Sequence, residues 1–248
     1  MMRWLAGSFL LMSTSAFSAG ITGYAKFASN YIWRGISFTE NNPAIQASAN
    51  YEHSSGVWGN IFGSNLKFAE PTLYEGDSTR EMDLTIGYKK ALGEIAANFY
   101  INRYEFIDRS QISAFEYSTS FGYKNLAFEY NYLPNWFGYN SVSHYLRLSG
   151  FYDIDSKYSL IGGFGRNEQS KTKRTQNASG TWSGVGFTSY WDYYVGLQFK
   201  ETGGFVYEFL YTNTNRKTIS YATGTPSEDG QYAKANDESL TISMTKFF

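Results

Sequence analysis

Along most of the chain apolar and polar residues alternate with a period of two, the mark of strands with one apolar and one polar face. Residues 81–90 show it most clearly. Met82, Leu84, Ile86 and Tyr88 fall on one face, and Glu81, Asp83, Thr85, Gly87 and Lys89 on the other. The rhythm returns in Phe115, Tyr117 and Phe121 against Glu116, Ser118 and Ser120, and in Tyr193, Val195, Leu197 and Phe199 against Gln198 and Lys200. Followed through, it predicts twelve strands, over 21–34, 43–52, 57–66, 81–90, 94–102, 113–123, 127–132, 144–152, 157–166, 192–200, 205–212 and 239–248. The connections after odd-numbered strands (35–42, 67–80, 103–112, 133–143, 167–191, 213–238) are long. Those after even-numbered strands (53–56, 91–93, 124–126, 153–156, 201–204) hold only 3 or 4 residues. Short turns at one end and long loops at the other are the threading of a transmembrane antiparallel up-and-down β-barrel with both chain ends in the periplasm. The expected fold class is therefore all-β, a single twelve-stranded barrel with long extracellular loops.

A soluble barrel or sandwich would also alternate, but it would not sort its connections by length. Aromatic residues make up 19% of the chain, with 22 Tyr and 20 Phe. Tyr31, Trp33, Tyr88, Tyr104, Tyr123, Tyr132, Tyr152, Trp191 and Tyr211 fall at or near predicted strand ends, where interfacial girdles lie. No apolar stretch after residue 19 approaches the ~20 residues with which a helix crosses a bilayer, so any crossing is made by strands. Residues 1–18 read as a cleaved export signal, with a basic start (Met1 to Arg3), an apolar run (Trp4 to Met12) and small residues from Ser13 to Ala19. Cleavage after Ser18 or after Ala16 fits that pattern. Residues 19–248 are then the barrel. Losing Arg3 leaves 20 basic against 22 acidic residues, a net charge of −2 instead of −1. That balance gives nucleic acid no basic surface. With no Cys, an exported chain cannot rest on disulfides, so its stability has to come from a large sheet.

The last strand is the sharpest local feature. Leu240, Ile242, Met244 and Phe248 share one parity, Ser239, Thr241, Ser243 and Thr245 the other, and the sequence stops on an aromatic residue. This resembles the terminal strand by which the barrel-assembly machinery recognises outer-membrane proteins, so the four apolar residues are the expected assembly signal. Lys246 departs from that pattern, and a lysine near the periplasmic rim can snorkel to the interface. A second resemblance is carried by Ser29, Tyr31, Arg34, Gly35 and Ser37 in "SNYIWRGIS", followed by Pro43, Ala44 and Gln46. Gly56, Trp58, Gly59, Ser64 and Asn65 in "SGVWGNIFGSN" and Glu81, Asp83, Gly87 and Tyr88 in "EMDLTIGY" continue it. This block resembles a family of proteobacterial outer-membrane proteins of the TorF porin type, formerly catalogued as conserved proteins of unknown function. It covers the first third of the chain; beyond it the likeness lies in strand rhythm and the ending "SMTKFF". Phe62 stands where the family is expected to carry Trp. The resemblance implies a barrel of the Gram-negative outer membrane and a pore, and says little about the solute.

Parity also predicts which polar residues face the lumen: Lys26, Asn30, Arg34, Gln46, Asn50, Glu52, Asp83, Asn98, Glu116, Glu129, Arg147, Gln198 and Glu208. A polar lining suits a water-filled passage for small hydrophilic solutes, because each group is costly to bury without water or a partner. Ion pairs across a narrow lumen would serve structure instead. Five acids against three bases in this set predict a weak cation preference. Arg34, at the extracellular mouth, has Glu52 and Asp83 as candidate partners, or anchors the first loop. In the loop 167–191, Lys171, Lys173 and Arg174, with Arg166 beside them, are either solvated, in contact with lipopolysaccharide phosphates, or folded inward as a constriction. Outer-membrane lipids and lipopolysaccharide are the expected surroundings.

A lipid hydrolase needs a Ser and His pair oriented by a third group, and His53 and His144 are the only histidines; neither context supplies the set. A structural or adhesive barrel that conducts nothing is a further alternative. "DIDSK" at 153–157 reads as a turn, "NAS" at 177–179 as a sequon without use in a bacterium, and Gly162, Gly163 and Gly165 as close packing in a strand. No cofactor or metal site is expected.

Overall fold

The computed structural model describes residues 19–68, 78–108, 110–138, 141–170, 189–220 and 238–248, with short pieces at 4–5, 9–10, 175–176, 182–183, 185–187 and 231–234. The export signal read at 1–18 lies outside the described residues apart from the pairs 4–5 and 9–10. Lys171, Lys173, Arg174 and the "NAS" triplet also lie outside them. Twelve strands form one closed barrel: β1 (Gly20–Ala28), β2 (Ala44–Glu52), β3 (Val57–Phe68), β4 (Ser78–Leu92), β5 (Ile95–Phe106), β6 (Ala114–Tyr123), β7 (Leu126–Leu133), β8 (Ser143–Asp153), β9 (Tyr158–Gln169), β10 (Tyr190–Lys200), β11 (Phe205–Thr214) and β12 (Glu238–Phe247). Each pairs antiparallel with the next, and β12 returns to β1. Closure gives every strand two neighbours, the condition for placing a sheet in hydrocarbon, where an unpaired edge would leave peptide groups without partners.

The sheet is turned inside out relative to a soluble fold. Ile21, Ile45, Ile61, Ile86, Phe99, Phe115, Leu148, Phe164, Val195 and Ile242 are exposed on its outer surface. Gln46, Asn50, Asp83, Asn98, Glu116, Glu129, Gln198 and Glu208 are buried within it. Tyr88, Tyr123 and Tyr152 stand exposed at the short-turn end, and Trp191 stacks between Phe164 and Tyr193 near the long-loop end. At that rim, just beyond β5, hydrogen bonds from the Arg80 guanidinium (2.6 Å) and the Thr79 hydroxyl (2.6 Å) pull the Asp108 carboxyl down to about 2.

At the other end the chain terminus is stitched into the seam. Gly23 and Phe248 exchange backbone hydrogen bonds of 2.9 and 3.1 Å, and the Phe248 ring covers Gly23 so closely that a Cβ there would lie 2.7 Å from it. Lys246 points outward, its ammonium 4.6 Å from the centre of the Phe205 ring and bonded to the Gly203 carbonyl in the turn below. The charge thus leaves the apolar band.

The first predicted strand needs correction. Instead of continuing to 34, β1 ends at Ala28, and residues 29–43 fold into the barrel as a cap. Asn30 sets the inward bend. Its Oδ1 accepts from the Ser37 (2.7 Å) and Thr39 (3.1 Å) hydroxyls, and its Nδ2 donates to Asn41 Oδ1 (2.7 Å) and Ser239 Oγ (3.1 Å). Ile32–Trp33 then pairs with Ile36–Ser37 around a two-residue turn, with φ of +50° at Arg34 and +74° at Gly35. Two successive left-handed residues make the tightest hairpin connection, and Gly carries the second at no steric cost. Gly35 also lies against Asp192 and Thr214, where a Cβ would come within 2.7 Å of the former.

Under this hairpin lies an apolar core at the long-loop end of the lumen. Trp33, Ile36 and Phe38 pack with Leu66, Tyr104, Phe106, Ile112, Leu133, Trp136, Phe137 and Tyr190, and Tyr31 leans on the cluster. Tyr31, Trp33 and Tyr104 therefore belong to this core and not to an interfacial girdle. Tyr104 has the inward parity of Asn102, and the other two are carried in by the cap. Phe137 holds a left-handed backbone (φ 42°), which a bulky residue adopts only when its surroundings fix it. The rings of Trp33, Phe38, Tyr104, Phe106 and Trp136 all contact its own.

Candidate functional site

Below the cap, a cavity of about 360 Å³ occupies the lumen. Its walls run from Thr22, Gly23 and Phe247 to Trp33, Arg34 and Gly35. Inward parity on twelve strands delivers the polar side chains, and they assemble into ion pairs in tiers. Nearest the short turns, Lys89 of β4 meets Glu52 of β2 at 2.5 Å, with its ammonium 5.2 Å from the Trp58 ring centre. Lys26 of β1 meets Glu208 of β11 at 3.3 Å, and Gln198 and Ser243 also donate to that carboxylate. Arg147 of β8 meets Glu129 of β7 at 2.5 Å, where Asn131 (2.9 Å) and Tyr100 (3.2 Å) donate as well.

Highest is Arg34, in the cap, which grips Glu116 of β6 with two nitrogens at 2.7 and 2.9 Å. Its guanidinium sits between the rings of Trp33 (4.3 Å) and Tyr145 (4.4 Å). Neither Glu52 nor Asp83 is its partner, a correction that follows from strand order. The hairpin carries Arg34 away from its neighbouring strands to the far wall. Of the two roles open to Arg34, anchoring the first loop is the one the structure shows.

The remaining residues read from parity also turn inward. Asn50 donates to Glu52 (3.2 Å), Trp58 Nε1 donates to Asn98 (2.8 Å), and Gln46 lies beside Ser64. Asp83 accepts one long bond from Asn102 (3.5 Å). Asn30 is the hub of the cap and lines the cavity from there. Glu81, Lys89, Tyr145 and Asp192 complete the site although they were not among the candidates. Glu81 and Lys89 share the polar face of residues 81–90, so alternation alone could have found them. Asp192 accepts from the Tyr145 hydroxyl (3.1 Å). Among the described residues no cation pairs with Glu81, Asp83 or Asp192.

Gly165 makes the Tyr145 shelf, because a Cβ there would run into the Tyr145 hydroxyl and lie 2.7 Å from Asp192 Oδ2. Gly165→Val is expected to displace Tyr145 and destabilise the protein by roughly 1–3 kcal/mol. Urea unfolding in detergent checks it.

The histidines stand apart from this interior. His144 Nδ1 shares a hydrogen bond of 2.8 Å with the Tyr130 hydroxyl on an exposed surface, and His53 Nδ1 shares one of 2.8 Å with Ser55 Oγ in a short turn. Among the described residues no carboxylate orients either ring.

Residues 12–248 match the model of a family described as a bacterial protein of unknown function, Gcw_chp. The chain belongs to this family. No curated protein matches it by sequence. Among solved structures, it resembles the NanC porin at 10% identity with a TM-score of 0.51, covering 91% of this chain and 98% of that one. The KdgM porin is similar at 7% identity and a TM-score of 0.51, covering 92% and 98%. At such identities the likeness establishes the fold, a closed antiparallel barrel of the outer-membrane porin kind. In this Gcw_chp member, the motif residues Ser29, Tyr31, Arg34, Gly35 and Ser37 build the cap, which gives "SNYIWRGIS" a structural task.

Proposed function

We propose that this protein is an outer-membrane channel for passive diffusion of small hydrophilic solutes or ions, akin to the TorF-type porins, inserted with its short turns in the periplasm and residues 1–18 removed on export. One observation carries the reading: a closed barrel with an apolar exterior encloses a cavity into which charged and polar side chains such as Lys26, Asp83, Glu129 and Arg147 project. Lipid and lipopolysaccharide surround it, the barrel-assembly machinery reads its last strand, and it needs no cofactor. Twelve strands enclose a narrower space than the 16–18 of general porins, which favours small or slender solutes.

The lining presents Asp83 and Asp192, which no cation pairs with among the described residues, while Lys26, Arg34, Lys89 and Arg147 are each engaged by an acid. A weak cation preference follows. Reversal potentials in a KCl gradient are expected to be cation-selective and to move toward zero in Asp83→Asn; anion selectivity would overturn the assignment.

The cap supports a second reading, a barrel that conducts nothing and presents its long loops to partners. Planar-bilayer recording separates the two. Stable conductance steps support the channel, and silence from a correctly folded barrel under all conditions supports the structural reading.

A further inference from the structure

The wall that receives Arg34 has the make-up of a receptor. We propose that it is a binding site for free guanidinium solutes such as arginine, and that Arg34 of the cap stands in it as a tethered ligand. This rests on the channel reading and names a class of solute for the same lumen.

The partners of the Arg34 guanidinium beyond its neighbour Trp33 all come from the barrel. Glu116 of β6 sets its two carboxylate oxygens 2.7 and 2.9 Å from two guanidinium nitrogens, and the Tyr104 hydroxyl of β5 donates to the same carboxylate at 3.1 Å. Tyr145 of β8 offers a ring face 4.4 Å from the guanidinium carbon. Other wall residues hold that ring. Its hydroxyl donates to Asp192 of β10 at 3.1 Å, and Gly165 of β9 leaves the room in which it lies. A carboxylate placed for two parallel contacts beside an aromatic face matches a flat guanidinium, whereas a compact ammonium fills only part of it.

The position of Arg34 in the chain points the same way. It is the first residue of a two-residue hairpin turn with φ of +50°, where Asn, Asp or Gly is favoured. The turn does not call for arginine; the wall does. The site also opens on the passage, since Arg34, Tyr104, Glu116 and Asp192 line the cavity below the cap. With the cap undocked, Glu116 and Asp192 face the lumen beside Tyr145, while Arg147 stays engaged by Glu129 at 2.5 Å. A solute cation then finds two carboxylates and a ring where the cap had supplied a charge. Because it binds only after Arg34 has left, it multiplies the undocked population by one plus the ratio of its concentration to its dissociation constant.

Two measurements on the full-length protein in detergent test this. In equilibrium dialysis, Arg34→Ala should bind L-arginine at least several-fold more tightly than the native protein, because the tethered competitor is gone. Arg34→Ala/Glu116→Gln should lose that binding. The chain has no Cys. A single Ile36→Cys therefore reports undocking by its rate of maleimide labelling, normalised to an exposed Ile107→Cys control. Labelling should rise several-fold once L-arginine exceeds the dissociation constant found for Arg34→Ala, and should stay nearly level with lysine or sodium at equal ionic strength. Arg34→Ala that binds no better than the native protein overturns the site, as does binding that survives Glu116→Gln. Equal acceleration by lysine or sodium overturns the guanidinium class. Labelling indifferent to L-arginine into the high millimolar range overturns the site even if Arg34→Ala fails to fold. Binding and undocking without conductance steps in planar bilayers leave the site standing and remove the channel, whereas stable conductance with neither does the reverse.

Discussion

Arg34→Ala should undock the cap. In the native barrel the Arg34 guanidinium donates to one oxygen of Glu116 and lies 2.7 Å from the other, and Glu116 is 2% exposed. Removing one member of a buried ion pair costs about 3–5 kcal/mol, because the partner charge stays behind without water. Stacking between Trp33 and Tyr145 adds on the order of 0.5–2 kcal/mol per ring. The twelve-strand ladder is untouched, so the loss should appear as protease or maleimide access to residues 31–38, with little change in the urea midpoint of the barrel. Arg34→Lys keeps the charge but not the two-pronged grip or the flat stacking surface, and should retain only a minor part of the docking energy. Combining Arg34→Ala with Glu116→Gln should recover much of it, since no charge is then left stranded. If Arg34→Ala labels no faster than the native protein, the latch is misassigned.

Excising the cap should have the largest effect on passage. Replacing residues 30–41 by a short Gly-Ser link removes Trp33, Ile36 and Phe38 from the core at the long-loop end and takes Arg34 out of the lumen. The β1–β2 ladder keeps its registered pairs up to Ala28 with Ala44, so the barrel wall should still close. The expected protein migrates as a folded barrel on unheated gels and shows a conductance well above that of the native form. Facing rings that lose Trp33 leave a hydrated opening, because Glu116, Asp83 and Asp192 bring water with them. A folded but silent variant would locate the block elsewhere in the lumen.

The strands and turns were legible because two different solvents act on the two faces of the sheet. Lipid outside and a polar lumen inside force strict alternation, and Leu84, Thr85 and Ile86 record both in three residues. Interior position followed from the same parity. Pairing did not: Lys26 meets Glu208 and Arg34 meets Glu116 only because strand order brings distant segments together. The cap was hidden for a related reason. Tyr31 and Trp33 continue the parity of the first strand, so local pattern extends it, whereas the inward fold depends on Asn30, on Ser239 near the other end of the chain and on Trp136 across the lumen. A fragment of the signal was nonetheless present, since Arg34-Gly35 between two apolar pairs is a hairpin turn that a membrane strand would not carry in its middle.

The seam between β12 and β1 has a kinetic consequence. Eleven of the strand pairings join segments consecutive in the barrel and separated by one connection, and they can form as local hairpins once that stretch of chain exists. The seam instead brings Ser29 to Ile242, 213 residues apart, and seats Phe248 on Gly23. Contacts of such sequence separation carry the greatest loop-closure entropy and form late. Until then β1 and β12 are two open edges, each able to recruit a strand from another chain. The contact of Phe248 with Gly23 thus helps set when the protein stops being adhesive to its own kind, and Phe248→Ala should spend longer in that exposed state.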